Sequence, residues 1–135
     1  MGTKIRTYDC TLRDGEQCEG VSLSLEDKLL IAQRLDSFGI DIIEGGFPAS
    51  NPKDIAFFKA VRAMGFRHAR IAAFGSTRRK GVAAEDDPGL RDLLGCGAPV
   101  LTIVGKAWDA QVTQVLRTSL DENLRMIGDS VAYLK

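Results

Sequence analysis

Histidine is almost missing from this chain: His68 stands alone among 135 residues. That excludes any paired-imidazole centre within the sequence and leaves a cysteine nucleophile one candidate base. Cysteine is sparse as well. Cys10, Cys18 and Cys96 form an odd set without metal-type spacing, so neither a disulfide framework nor a zinc cluster is expected, and reduced thiols in a cytoplasmic protein are the natural reading. Charge of one sign is lacking, since 18 Lys and Arg balance 18 Asp and Glu. No basic field therefore exists to attract nucleic acid or an anionic membrane. No apolar run approaches the length of a membrane span. The opening residues Met1 to Arg6 carry no apolar signal segment, and Arg6 stands where a myristoylation motif needs Ser or Thr. No Gly-x-Gly-x-x-Gly opens the first helix, which counts against a dinucleotide-binding sheet.

What is present is a globular composition, 44% apolar and 27% charged, at the size of one domain. The chain is organised around Asp9-Cys10-Thr11-Leu12-Arg13-Asp14-Gly15-Glu16-Gln17, a polar turn between a first apolar run, Lys4 to Asp9, and a first helix. Ser24 and Asp27 have the spacing of a capping box, Ile31, Leu35 and Phe38 recur at helical spacing, and Gly39 is placed to end that helix. Lys28, on its first turn, reads as a solvated lysine. Ile40 to Glu44 is a second strand, closed by Gly45-Gly46. Asn51-Pro52-Lys53-Asp54 starts a second helix with a cap, a first-turn proline and an acid at the positive dipole end. Arg70 to Phe74 is a third strand, Asp87-Pro88 opens a short third helix, and Val100 to Val104 is a fourth, continuous and largely apolar strand. Asp109 to Leu116 reads as a short helical segment. Ser119 and Glu122 then cap a last helix, with Leu124, Ile127, Val131 and Leu134 along one stripe.

Strand and helix alternate four times, which predicts an α/β fold with a parallel sheet and right-handed crossovers. Such a sheet is either an open doubly wound one or one half of a (β/α)₈ barrel, which needs about 250 residues. In both, the C-terminal ends of the strands share one face, and ligands bind there. That face collects Arg13, Asp14 and Gln17 after the first strand and Glu44 at the end of the second. Ser76, Thr77, Arg78 and Arg79 follow the third, and Lys106, Trp108 and Asp109 the fourth. Arg13 offers a permanently charged planar fork for a carboxylate or an enolate oxygen. Asp14 is a hard oxygen ligand for Mg²⁺ or Mn²⁺, or one donor for Zn²⁺. Gln17 both donates and accepts. Arg78 and Lys106 are candidate anion contacts, whereas Lys80 reads as solvated. Residue types alone favour reading Arg-Asp-Gly as an ordinary surface turn, because such turns are common. Cys10 would need His68 as its base, and His68 precedes the third strand, at the opposite face.

Leu12-Arg13-Asp14-Gly15-Glu16-Gln17, then ten residues, then Lys28, resembles the signature of the acyl-CoA-dependent carboxylic acid synthases: isopropylmalate, homocitrate and citramalate synthases of the DRE-TIM metallolyase superfamily. Ile43 to Pro48, Asn51 to Asp54, Phe74 to Arg79 and Ser119 to Leu124 resemble the citramalate synthase branch most. The likeness runs from about Lys4 to the last residue. It implies a TIM-barrel catalytic domain in which a divalent metal holds a 2-keto acid, pyruvate in the citramalate branch. The enolate of acetyl-CoA attacks the keto carbonyl, and thioester hydrolysis releases CoA. Carried over by position, Asp14 is the metal ligand, Arg13 binds the keto acid and stabilises the developing oxyanion, and Glu44 handles a proton or orients a water. Gln17 lies in the same shell.

The sequence departs from that pattern at Cys10, where Thr is usual, and in having no His-x-His pair, which the family places on a later strand to complete its metal site. The expectation is therefore the (βα)₄ half of a synthase barrel, a single partial domain over residues 1–135. It is expected to self-associate and to have little synthase activity alone. A non-catalytic half-barrel binding a small anion or a partner chain, and a hydroxymethylglutaryl-CoA lyase-like enzyme, remain as alternatives.

Overall fold

The computed structural model describes residues 5–135. Four strands, β1 (Tyr8–Asp9), β2 (Ile42–Gly46), β3 (Arg70–Ser76) and β4 (Val100–Val104), lie side by side in chain order and are all parallel. Helices α1 (Leu25–Phe38), α2 (Pro52–Val61) and α3 (Pro88–Gly95) connect them, and α4 (Leu120–Leu134) follows β4. The start signals act as their chemistry requires. Ser24 and Asp27 form a reciprocal capping box, Asn51 accepts the Lys53 N–H, Asp87 accepts the Leu90 N–H, and Ser119 accepts the Glu122 N–H. Gly39, at φ 94°, ends α1 in the left-handed conformation.

The strand bounds differ from expectation at three places, the simplest being β3, which runs past Phe74 to Ser76. Of the predicted first strand, Lys4 lies outside the described residues, and only Tyr8–Asp9 pairs as strand. Asp41 secures the approach to it, accepting the Thr7 N–H at 2.9 Å and the Thr7 hydroxyl at 3.1 Å. β2 does not stop at its glycines but runs through them, with a bulge that sets Glu44 opposite Ala72 and Gly46 opposite Ala73. A Cβ at Gly45 would overlap the Phe57 ring, and one at Gly46 the Asp54 carboxylate. The two glycines thus serve close packing of α2 on the strand.

One face of the sheet carries Ile43, Ile71 and Ala73, which pack with Leu12, Ala32, Phe57, Phe58, Val61 and Leu93 into a buried core flanked by Leu101 and Ile103. Each large apolar side chain buried there contributes about 1.5–3 kcal/mol. Two predicted stripes hold only in part: Ile31, Leu35 and Leu134 pack against the core. Phe38 is 83% exposed, while Asp36 is turned inward to accept the backbone N–H groups of Arg67, His68 and Ala69. On α4 the buried positions are Asn123, Met126 and Ser130, and Leu124 is exposed. Asn123 donates to the Lys106 carbonyl and Ser130 accepts the Arg78 N–H, so two polar anchors set the rotation of the helix. Residues Gln111–Val115 wind as one π turn, ended by Arg117 at φ 52°.

Candidate functional site

The residues after β1 coil tightly because one carbonyl, that of Cys10, accepts the N–H groups of Arg13, Asp14 and Gly15 at 3.1, 2.9 and 3.2 Å. Asp9 takes the Thr11 N–H at 3.0 Å, and Leu12, wholly buried, nails the turn to the core. Asp14 and Gly15 then lead into a single 3₁₀ turn, Gly15–Gln17. This brings the Arg13 guanidinium back across the end of the sheet. Its Nε donates to Glu44, its Nη1 lies 2.7 Å from Asp14 Oδ1, and its Cζ stands 4.2 Å above the Phe74 ring. Two of its five N–H donors are engaged this way.

Glu44 is only 2% exposed and accepts from two sides, from Arg13 and from the hydroxyl of Tyr8. Tyr8 in turn shares a 2.8 Å hydrogen bond with Thr102 of β4. Burial, together with the neighbouring Glu44, pushes the Tyr8 hydroxyl up to about 12, so it keeps its proton and remains a donor. Burial works against the charge on Arg13, but the hydrogen bond and charge of Glu44, followed by Asp14, outweigh it and raise its pKa above the ordinary value. The cluster therefore holds a buried, ionic pair beside one open carboxylate, Asp14, whose side chain is 61% exposed.

Arg13, Asp14 and Glu44 come together as the sequence predicts. Gln17 is exposed on the same turn. Lys106, partly buried, lies apart from them beside Lys80 in a cavity of about 320 Å³ between the loops after β3 and β4. Arg78 also lines that cavity, but its guanidinium is turned to protein partners. It is 6% exposed, with Nε donating to Asp129 at 2.8 Å and Nη1 to Glu122 at 2.9 Å and to the Arg79 carbonyl at 3.1 Å. A guanidinium so occupied ties the loop after β3 to α4, and the expected substrate contact is corrected accordingly. His68 is exposed at the far end of β3, which leaves Cys10, itself exposed, without an imidazole at the turn. A cleft of about 800 Å³ also opens at that far end, between α1 and the loop before β3, and contains none of the turn residues. Tyr8 and Thr102 are the site residues that sequence reasoning missed. Their signal is alternation: Tyr8 precedes the turn on a strand whose neighbour offers Glu44 on the same face.

A family model described as HMGL-like matches residues 4–135. The (R)-citramalate synthase of Aquifex aeolicus is 53% identical over 135 residues, covering 100% of this chain and 26% of that protein. The (R)-citramalate synthase of Geobacter sulfurreducens is 52% identical over 131 residues, 97% of this chain and 25% of that one. The 2-isopropylmalate synthase of Listeria innocua is more distant, 33% identical over 132 residues, 98% of this chain and 25% of that one. The chain spans about a quarter of the length of these relatives. Among solved structures, an HMG-CoA lyase of Bacillus subtilis superposes with a TM-score of 0.69 at 20% identity, over 96% of this chain and 42% of the lyase. At that identity the likeness concerns fold alone, and it identifies the four strand–helix units as a parallel half of a TIM barrel.

Proposed function

The chain belongs to the HMGL-like family, and from that premise we propose that it supplies the keto-acid end of an acyl-CoA-dependent carboxylic acid synthase. The favoured reaction is condensation of acetyl-CoA with pyruvate to citramalate, and next condensation with 2-ketoisovalerate to 2-isopropylmalate. The observation that carries the reading is the Arg13–Glu44 pair at the C-terminal end of the sheet, with Asp14 beside it. Over nearly the whole chain, the higher identity to the citramalate synthases than to the Listeria innocua 2-isopropylmalate synthase supports the order of substrates. In this reading residues 1–135 are one partial domain of a longer barrel in a cytoplasmic enzyme.

Arg13 binds the keto acid. Glu44, the Phe74 face and Asp14 fix its fork, and the remaining N–H donors are left for the substrate carboxylate and for the carbonyl oxygen. Once the acetyl methyl group has given up a proton to a base, the resulting enolate carbon bonds to the keto carbon, the electron pair of the C=O moves to oxygen, and a preoriented guanidinium stabilises that charge without reorganising. Glu44 holds Arg13 in register and is the nearest buried carboxylate for a proton or a water. Gln17 is proposed as a further substrate contact at the rim, and Lys106 as an anion contact in the separate cavity beside Lys80.

The resemblance also implies a divalent metal, which in such synthases orients the keto acid and polarises its carbonyl. Asp14 is the side chain of this turn suited to be one ligand. Among the described residues no group of three His, Cys, Asp or Glu is placed to hold a metal ion, and one carboxylate does not make such a site. The chain's own residues thus do not fit a complete metal centre, and the roles of Arg13 and Glu44 stand without one.

A chimera tests the reading. With residues 1–135 replacing the matching segment of the Aquifex aeolicus relative, CoA thiol release should depend on both acetyl-CoA and pyruvate. Arg13→Lys should lower kcat/KM by about 10²-fold, the scale for losing a preorganised oxyanion donor. A folded chimera that releases no thiol with pyruvate, or that tolerates Arg13→Lys, overturns it.

A further inference from the structure

Lys28 reads from sequence as a solvated lysine, yet it is among the largest side chains wholly withdrawn from water. Its ammonium lies 2.6 Å from Asp54 Oδ1, 3.0 Å from Glu16 Oε2, and 5.4 Å from the centroid of the Phe57 ring. A buried ammonium without such partners would be lost to desolvation. What matters is where the two carboxylates sit. Glu16 belongs to the turn that carries Arg13 and Asp14. Asp54 belongs to the first turn of α2, and its second oxygen accepts the N–H of Phe47, just past β2, at 2.8 Å. Phe47 meets Phe74 edge to face, with centroids 5.5 Å apart, and Phe74 is the ring beneath the Arg13 guanidinium. The contacts close a circuit from the turn through Lys28 to α2, to the end of β2, and back to Arg13. Lys53 reinforces it from outside, 3.5 Å from Glu16 and bonded to the Leu23 carbonyl at 2.9 Å.

We propose that Lys28 is a positioning residue: through Glu16 and Asp54 it locks the Arg13–Asp14 turn to the loop after β2, so that both walls of the site hold one relative geometry. That the turn serves keto-acid chemistry rests on the function proposed above; that Lys28 fixes the turn does not.

Amide hydrogen exchange separates the two. The N–H groups of Arg13, Asp14, Gly15 and Gln17 report the turn, and those of Ala72 and Ala73 in β3 report the sheet. Lys28→Met and Glu16→Gln are compared with the parent chain. Glu16→Gln removes the charge that holds the turn to Lys28, and with it the longer Lys53 contact, and leaves Lys28 paired with Asp54, so it decides the matter even if Lys28→Met does not fold. Each folded variant should speed exchange in the turn by about tenfold or more, with the β3 amides of Glu16→Gln within about twofold of the parent. Turn amides within about twofold of the parent in Glu16→Gln, or equal acceleration of turn and sheet, overturn the proposal. In the chimera, Glu16→Gln should lower kcat more than it raises KM for pyruvate. A parent chimera without activity defeats the functional reading, while the exchange data still decide the role of Lys28.

Discussion

Single charged residues carry more of this structure than their types suggest, and Asp36 shows how. It is 7% exposed and accepts three successive backbone N–H groups, from Arg67, His68 and Ala69. Burial by itself raises a carboxyl pKa, but the three donors outweigh it and hold Asp36 below its ordinary value of 3.8. A carboxylate held low in the folded state contributes stability above the unfolded value, and that contribution disappears as pH falls through 3.8 toward the folded value. Asp36→Asn should therefore cost about 2–3 kcal/mol at neutral pH, because orphaned donors remain. The gap to the parent should narrow below about pH 4 in urea titrations; a gap constant from pH 7 to pH 3 would contradict the assignment. The same scale shows what the sequence revealed and what it hid. Arg13, Asp14 and Glu44 were legible because strand ends in a parallel sheet converge on one face. Lys28 was not, because its partners lie 12 and 26 positions away in sequence. Tyr8 was hidden for the same reason, being linked to Glu44 and Thr102 across 36 and 94 positions.

At the level of elements, the order of strands and helices and the start of every helix were readable, since capping is a local chemistry of four residues. The orientation of α4 was not. Its apolar stripe at Leu124, Ile127, Val131 and Leu134 competes with a neighbouring stripe at Asn123, Met126 and Ser130, and contacts to distant loops decide between them. Arg78 is the strongest of those contacts, an ion-paired clamp on Glu122 and Asp129 reinforced by its own N–H to Ser130. Arg78→Met should destabilise the fold by about 2 kcal/mol, less than for a wholly buried pair because Asp129 remains half exposed. Arg79→Met, at a side chain 70% exposed and 3.8 Å from Asp87, should change it by less than about 0.5 kcal/mol. Thermal melts of the two variants check the contrast, and equal losses would remove Arg78 from its structural role.

For the molecule as a whole, the sheet has two outer strands, β1 and β4, each paired on one side only among the described residues. β4 is apolar apart from Thr102, and large apolar groups are exposed near it: Val104 at 39%, Trp108 at 64%, Val115 at 68% and Leu124 at 66%. An open cavity of about 410 Å³ between β4 and α4 is lined by Leu101, Ile103, Val131 and Leu134. In the superposed lyase this portion is 42% of a longer chain, so an architecture of this kind ordinarily continues past both edges. Left unpaired, an apolar strand edge beside an apolar groove favours pairing with another chain. We predict that the 135-residue polypeptide self-associates: light scattering at micromolar concentration should give a mass well above the 14.7 kDa of one chain. Val104→Lys together with Leu124→Lys places a charge on the edge and another on the exposed helix stripe, and should shift the population toward monomer without lowering the melting temperature by more than a few degrees. A parent chain that is monomeric throughout, or an assembly unmoved by both charges, would show that these surfaces do not drive association.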